Sequence, residues 1–205
     1  TLDIIKLNST RKKIVVSEKD GGLYHALNKG VNLASGDIIG FVHSDDLLAS
    51  KTVISKLVSK FLNEKLDGIY GDLQYVNEDD TTKVVRLWKS RDFTTDLLRK
   101  GWMPAHPTFF LKKEVYKLHG KFNLKYKIAA DYDFMVRVLK NLSLNYGYLP
   151  CVITKMRVGG ISNGGLKNII LKSKEDYEVI ISNKIGGLLT LFKKNISKLS
   201  QFIIR

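Results

Sequence analysis

The acids and bases able to do chemistry in this chain gather at a few places. Two adjacent carboxylates, Asp45 and Asp46, follow the apolar run Asp37 to Val42 with only His43 and Ser44 between. Such a run reads as a central strand covered on both faces, and in an open α/β sheet ligands bind just beyond the carboxyl ends of strands. A hard divalent cation takes oxygen ligands, commonly one or two carboxylates plus substrate phosphates. The pair therefore suggests a site for Mg²⁺ or Mn²⁺ with a phosphate group; the alternative is a helix cap before Leu47. Upstream, Glu18 and Asp20 lead into Gly21-Gly22, and Asn28 and Lys29 lie on the helix that follows. The free N–H groups at that helix start either face a phosphate or merely follow a chain turn. Downstream, Asp131 falls at or near a helix N-cap, His106 sits between Pro104 and Pro107, and Asp72 ends the run from Gly68, as a site group or a solvated acid. His106 is either a site imidazole or a structural one.

The elements that must position these groups follow from periodicity. Leu2 to Leu7 reads as the end of a helix, and the β-branched run Lys13 to Ser17 as a strand. Leu23, Leu27, Val31 and Ala34 recur at helical spacing, with Ser35-Gly36 as the stop. Ser50 is placed to cap a helix carrying Val53, Ile54, Leu57, Val58, Phe61 and Leu62. Strands are expected from Gly68 to Val76 and back through Val84-Val85, with Glu78-Asp79-Asp80 as an exposed turn. A short helix spans Phe93 to Lys100, capped by Asp92, and the prolines around His106 impose an extended approach. Trp102 and Met103 offer an apolar platform or fill the core. Phe134, Val138 and Leu139 give the helix after Asp131 an apolar face, and Leu144 to Tyr148 and Val152 to Val158 read as two final strands.

The order Ser17-Glu18-Lys19-Asp20-Gly21-Gly22-Leu23-Tyr24-His25-Ala26-Leu27-Asn28-Lys29-Gly30, followed by a strand ending in Asp45-Asp46, resembles the family 2 glycosyltransferases. The resemblance extends from Thr1 to Ser162 and implies an α/β fold of the GT-A type, a Rossmann-like sandwich with a mixed central sheet. It implies a domain over 1–165, and beyond it the residue pattern reads as a helical tail over 166–205. It also implies a strand–helix–strand segment ahead of Thr1, so the chain is expected to be N-terminally truncated, a fragment or a shortened homologue. The family's activity would be inverting transfer of a sugar from a nucleotide donor, expected to be a UDP-sugar, to an acceptor hydroxyl on a saccharide or lipid-linked acceptor. By the same resemblance Asp46, helped by Asp45, would hold Mn²⁺ or Mg²⁺. Glu18, Asp20, Asn28 and Lys29 would line the donor pocket. His106, Trp102 and Arg137 would stand on the acceptor side, and Asp131 would be the general base. Gly159-Gly160-Ile161-Ser162 matches the closing loop of the donor site, where a lid is expected. A remnant that binds nucleotide or sugar without catalysis is the alternative.

The chain has 205 residues, sufficient for one domain with a substantial core, and a net charge of +14 that favours anionic partners. The lone Cys151 excludes an intrachain disulfide and a multi-cysteine zinc site, and fits a reducing cytoplasm. It reads as a small buried hydrophobe. The sequence has no apolar run of about 18 residues for a membrane span. Nor does it carry a helix-turn-helix, zinc-finger or RNA-binding signature, so nucleic acid is not an expected partner. Nothing in it fixes an oligomeric state. From Lys184 to Arg205 lysines and an arginine alternate with Leu188, Leu189, Phe192 and Ile196, and no acid interrupts them. Such a basic amphipathic segment either lies on the anionic inner face of the cell membrane or packs on protein.

Overall fold

Long apolar runs and one strongly buried helix build a six-stranded mixed sheet in a computed structural model that describes residues 2–7, 13–158 and 165–197. The strands are β1 (Ile38–Ile39), β2 (Asp46–Leu48), β3 (Gly68–Val76), β4 (Val84–Trp88), β5 (Phe110–Lys112) and β6 (Tyr146–Arg157). Their order is β1-β5-β3-β6-β2, with β4 also on β3. Only β3 and β6 run parallel; the other pairs are antiparallel. β3 is the axis because its first six residues are buried. At Gly71 a side chain would strike Ile153 Cδ1 at 2.7 Å and the Cys151 carbonyl at 2.8 Å, so glycine lets β6 close on β3.

Around the sheet lie α1 (Leu2–Leu7), α2 (Leu23–Leu33), α3 (Val53–Glu64), α4 (Thr95–Arg99), a 3₁₀ turn (His106–Thr108), α5 (Lys113–His119), α6 (Ala130–Leu139), α7 (Gly165–Ser182) and α8 (Leu188–Ser197). α6 is apolar almost all round and accordingly buried, from Tyr132 through Val136 and again at Val138 and Leu139. Tyr24 and Val31 of α2 and Val179 and Ile180 of α7 enter the same core as α6. α3 buries Val53, Leu57 and Phe61 in a second cluster with Ile69 and Ile153, leaving Ile54, Val58 and Leu62 exposed. Cys151 packs, half-buried, against that cluster.

Several elements differ from expectation for physical reasons. Lys13 to Ser17 forms no strand; its side chains are exposed, and β-branched propensity needs a neighbouring strand to express itself. The run Asp37 to Val42 yields only the two residues of β1, at the edge of the sheet with β5 as its neighbour, not a central strand. Asp46 opens β2 rather than capping a helix. α2 buries Tyr24 where Leu23 was expected, and ends at Leu33. Thr94 and Thr52, not Asp92 and Ser50, precede α4 and α3. The prolines around His106 frame a 3₁₀ turn in place of an extended segment. The two final strands are one, β6, which carries Pro150 through a register shift opposite Tyr70 and Asp72. The Gly159-Gly160-Ile161-Ser162 turn and residues 198–205 lie outside the described residues.

Candidate functional site

Asp131 lies in the first turn of α6, one residue beyond Ala130, so Ala129 and not Asp131 holds the N-cap place. Its Oδ1 accepts from the Tyr132 amide at 2.7 Å. The Tyr24 hydroxyl, brought in by α2, stands 3.3 Å from the same oxygen and donates to the Ile128 carbonyl at 2.6 Å. Burial, and next the Asp131 carboxylate, raise the Tyr24 phenol well above its ordinary range, so it remains a neutral donor.

His106 faces the same space. Its ring is buried between Phe41 and Phe122, each at 5.3 Å between centroids, with His43 at 5.6 Å. Nε2 is buried without a hydrogen-bond partner among the described residues. Burial lowers the imidazole to about 4, with His43 adding to the lowering and Asp131 opposing it. His106 is therefore neutral near pH 7 and can offer one donor or one acceptor to a hydroxyl.

Asp46 supplies the second acid. It is 7% exposed, and Oδ2 has no hydrogen-bond partner among the described residues. Burial raises its carboxyl; the neighbouring His43 opposes this and Asp45 adds to it. A buried carboxylate oxygen without a partner is what a cation would satisfy. No group of three or more His, Cys, Asp or Glu gathers among the described residues, so an ion there would complete its shell with substrate phosphate and water. Those features fit Mg²⁺ or Mn²⁺ held by one protein carboxylate. Tyr75 of β3 lies within electrostatic reach of both acids: burial raises its phenol, and Asp46 and Asp131 both add to the rise against Arg86 and Lys172. The Arg86 guanidinium lies 4.6 Å from the Tyr75 ring centre. Asp46 and Asp131, far apart in sequence, thus both act on Tyr75.

The remaining expected residues divide. Glu18 and Asp20 form one solvent-accessible cluster with Lys29, whose ammonium pairs with both carboxylates, with Asp20 at 2.5 Å. Asn28 is spent on structure: its amide donates to the Phe122 carbonyl and accepts from the Phe122 N–H, both at 2.9 Å. Trp102 packs edge-on against Tyr70 at 5.7 Å and stacks on Phe93 at 6.3 Å, as part of the core's aromatic layer. Arg137 is not brought to Asp131; it binds Asp133 Oδ2 at 2.9 Å and the carbonyls of His119 and Lys121. Asp72 is buried rather than solvated, and its Oδ1 accepts from the Ser90 amide at 2.7 Å and the Tyr148 hydroxyl at 2.8 Å. The sequence reading missed Tyr24 and Tyr75, although helical spacing beside Leu23 was a signal for the first.

A sequence model described as Glycosyl transferase family 2 matches residues 1–119. The chain is 28% identical over 199 residues to a PGL/p-HBAD biosynthesis glycosyltransferase of Mycobacterium bovis, covering 93% of this chain and 72% of that protein. Among solved structures it is similar to S. aureus TarS 1–349, with a TM-score of 0.64 and 18% identity over 99% of this chain and 57% of that one. TarS 1–349 has also been solved with UDP-GlcNAc. The mannosyltransferase PcManGT of Pyrobaculum calidifontis, in complex with GDP-Man and Mn²⁺, has a TM-score of 0.55 at 17% identity, covering 85% of this chain and 47% of that one. The chain thus spans little more than half the length of the TarS chain, at 57%.

Proposed function

Because the chain belongs to glycosyl transferase family 2 and has the GT-A fold, we propose that it moves a sugar from a nucleotide-sugar, expected to be a UDP-sugar, to an acceptor hydroxyl with inversion at the anomeric carbon. The observation that supports this reading is the buried oxygen of Asp46 that has no hydrogen-bond partner among the described residues, with Asp131 standing beside the Tyr24 hydroxyl and both carboxylates acting on Tyr75. Asp46, helped by Asp45, would hold Mn²⁺ or Mg²⁺. Such an ion, when bound, supplies positive charge against the departing diphosphate. Asp131 takes the proton of the acceptor hydroxyl as its oxygen bonds to the anomeric carbon and the carbon–oxygen bond to the diphosphate breaks. Tyr24 orients that carboxylate, and neutral His106 offers the hydroxyl a hydrogen bond. Glu18, Asp20 and Lys29 form the donor rim.

The acceptor is a saccharide or a lipid-linked saccharide in polysaccharide or glycolipid synthesis, met at the inner face of the cell membrane. A specific feature favours a membrane setting. α8 turns Thr190 and Lys194 inward and leaves Leu188, Leu189, Phe192 and Ile196 exposed beside Lys193. No helix among the described residues is long and apolar enough to cross a membrane.

Calorimetric titration of UDP with Mn²⁺, with excess chelator, and on Asp46→Ala tests the donor site. Binding that needs the metal and is lost in the variant is the expected result. Equal binding with chelator, or by Asp46→Ala, would remove Asp46 from that role.

A further inference from the structure

We propose that Glu175, on α7, is the positioning residue that sets Asp131 for proton transfer; this rests on the reading of Asp131 as the base. Glu175 is 6% exposed and spends its whole carboxylate on one short segment. Oε1 accepts from the Lys127 amide at 2.9 Å, and Oε2 accepts from the Ile128 amide at 2.8 Å and the Ala129 amide at 2.9 Å. These residues directly precede α6, whose second residue is Asp131. Hydrogen bonds from amides to an ionised acceptor are about twice as strong as neutral ones, so three together fix where the helix begins.

The same turn is held from its other side. The Ile128 carbonyl accepts the Tyr24 hydroxyl, which also approaches Asp131 Oδ1. The residue after Asp131 is held by the next acid of α7: Asp176 pairs with Lys194 at 2.7 Å, and the Lys194 ammonium lies 3.7 Å from the Tyr132 ring centre. The backbone before Asp131 is thereby anchored to Glu175, and the Tyr132 side chain after it lies against the Lys194–Asp176 pair. Residues 175, 176 and 194 lie beyond the segment that the family model matches. A displacement of about 1 Å at a reacting group can cost about 100-fold in rate, which gives a helix that does not itself supply the base control over the chemical step.

The test uses the full chain with Mn²⁺, measuring UDP release from UDP-glucose and UDP-GlcNAc with water as acceptor, UDP affinity by calorimetry, and amide exchange over 127–131. Glu175→Gln keeps the shape but loses the charge, and should lower kcat about tenfold; Glu175→Ala should lower it about 100-fold. KM for the donor and UDP affinity should stay within about twofold, because the donor rim does not touch the turn, while exchange at 127–129 rises in both variants. A kcat equal to wild type in Glu175→Ala, with Asp131→Asn inactive, would overturn the proposal. So would unchanged exchange at 127–129, a measurement that needs no turnover. Parallel loss of UDP binding and kcat in the isosteric Gln variant would make Glu175 a general fold residue and also overturn it. Full turnover by Asp131→Asn would instead sink the reading of Asp131 as the base.

Discussion

Two lysines sit among carboxylates at opposite ends of this chain, in opposite settings. Lys29 lies on the rim with Glu18 and Asp20, its side chain 39% exposed and theirs 55% and 26%. Lys194 is sealed against Asp176, the two side chains 3% and 2% exposed. Water screens the first cluster, so its hydrogen bonds can be exchanged for those of an arriving phosphate at little cost. The second has given up its hydration, so each charge depends on the other. Burial pushes the Lys194 ammonium down and Asp176 opposes that shift, whereas Asp20 and then Glu18 raise Lys29. One grouping is open to water, and the other is sealed beside the Tyr132 ring that follows Asp131.

The sharpest way to break this contrast is to remove the buried charge. Lys194→Ala should cost about 3–5 kcal/mol of stability in urea denaturation, because Asp176 is left buried with only the longer contact to Lys172 at 3.5 Å. Contact is also lost at Gly101, whose missing side chain leaves the space that Lys194 Cβ and Cγ fill, since alanine keeps only the Cβ. Joint replacement, Asp176→Leu with Lys194→Met, should recover most of that loss. A single Lys194→Ala variant as stable as wild type would erase the distinction between the two lysines.

That sealed region was the part of the molecule least legible in sequence. Glu175 and Asp176 stand in a lysine-rich helix, where acids ordinarily read as a solvated face. Only the fold shows that they point inward, Glu175 to amides at 127–129 and Asp176 to Lys194. The tail's basic, amphipathic pattern left open whether it packs on protein, and on α8 Lys194 is buried while apolar Phe192 is 62% exposed. By contrast the glycosyltransferase fold was legible from Ser17 to Asp46, because acids, glycine turn, helix and carboxylate pair follow one another locally. The strand at Lys13 to Ser17 was not, since a strand is a relation between two segments. Asn28 and Arg137 matched by position, but their partners, Phe122 and Asp133, were set by tertiary contacts that spacing does not encode.

His106 gives a smaller effect, of known sign. The imidazole of His106 is held near 4 in the folded chain, against an ordinary 6.5. As pH falls, the unfolded chain takes up that proton first. The stability contributed by neutral His106 is therefore complete above about 6.5 and is lost as pH falls towards about 4, approaching about 3 kcal/mol. Urea denaturation at several pH values between these limits should show the slope, and His106→Gln should flatten it. An unchanged slope in the variant would place the acid sensitivity elsewhere.

The smallest stability effect is expected at the rim, and there it sharpens the comparison most. Lys29→Ala removes a cation that water already screens, so the melting temperature should not move. UDP affinity should nevertheless fall, by about tenfold or less, since a charge-assisted bond to phosphate is lost. That loss should shrink as salt is raised, because an exposed charge is screened within about 10 Å at 0.1 M. The outcome separates two roles that geometry alone leaves joined, for Lys29 could serve merely to hold Glu18 and Asp20 in place. In that case Glu18→Gln and Asp20→Asn would reproduce the Lys29→Ala loss. If Lys29 meets the donor's phosphates, removing its competing carboxylates should leave UDP affinity unchanged or raise it.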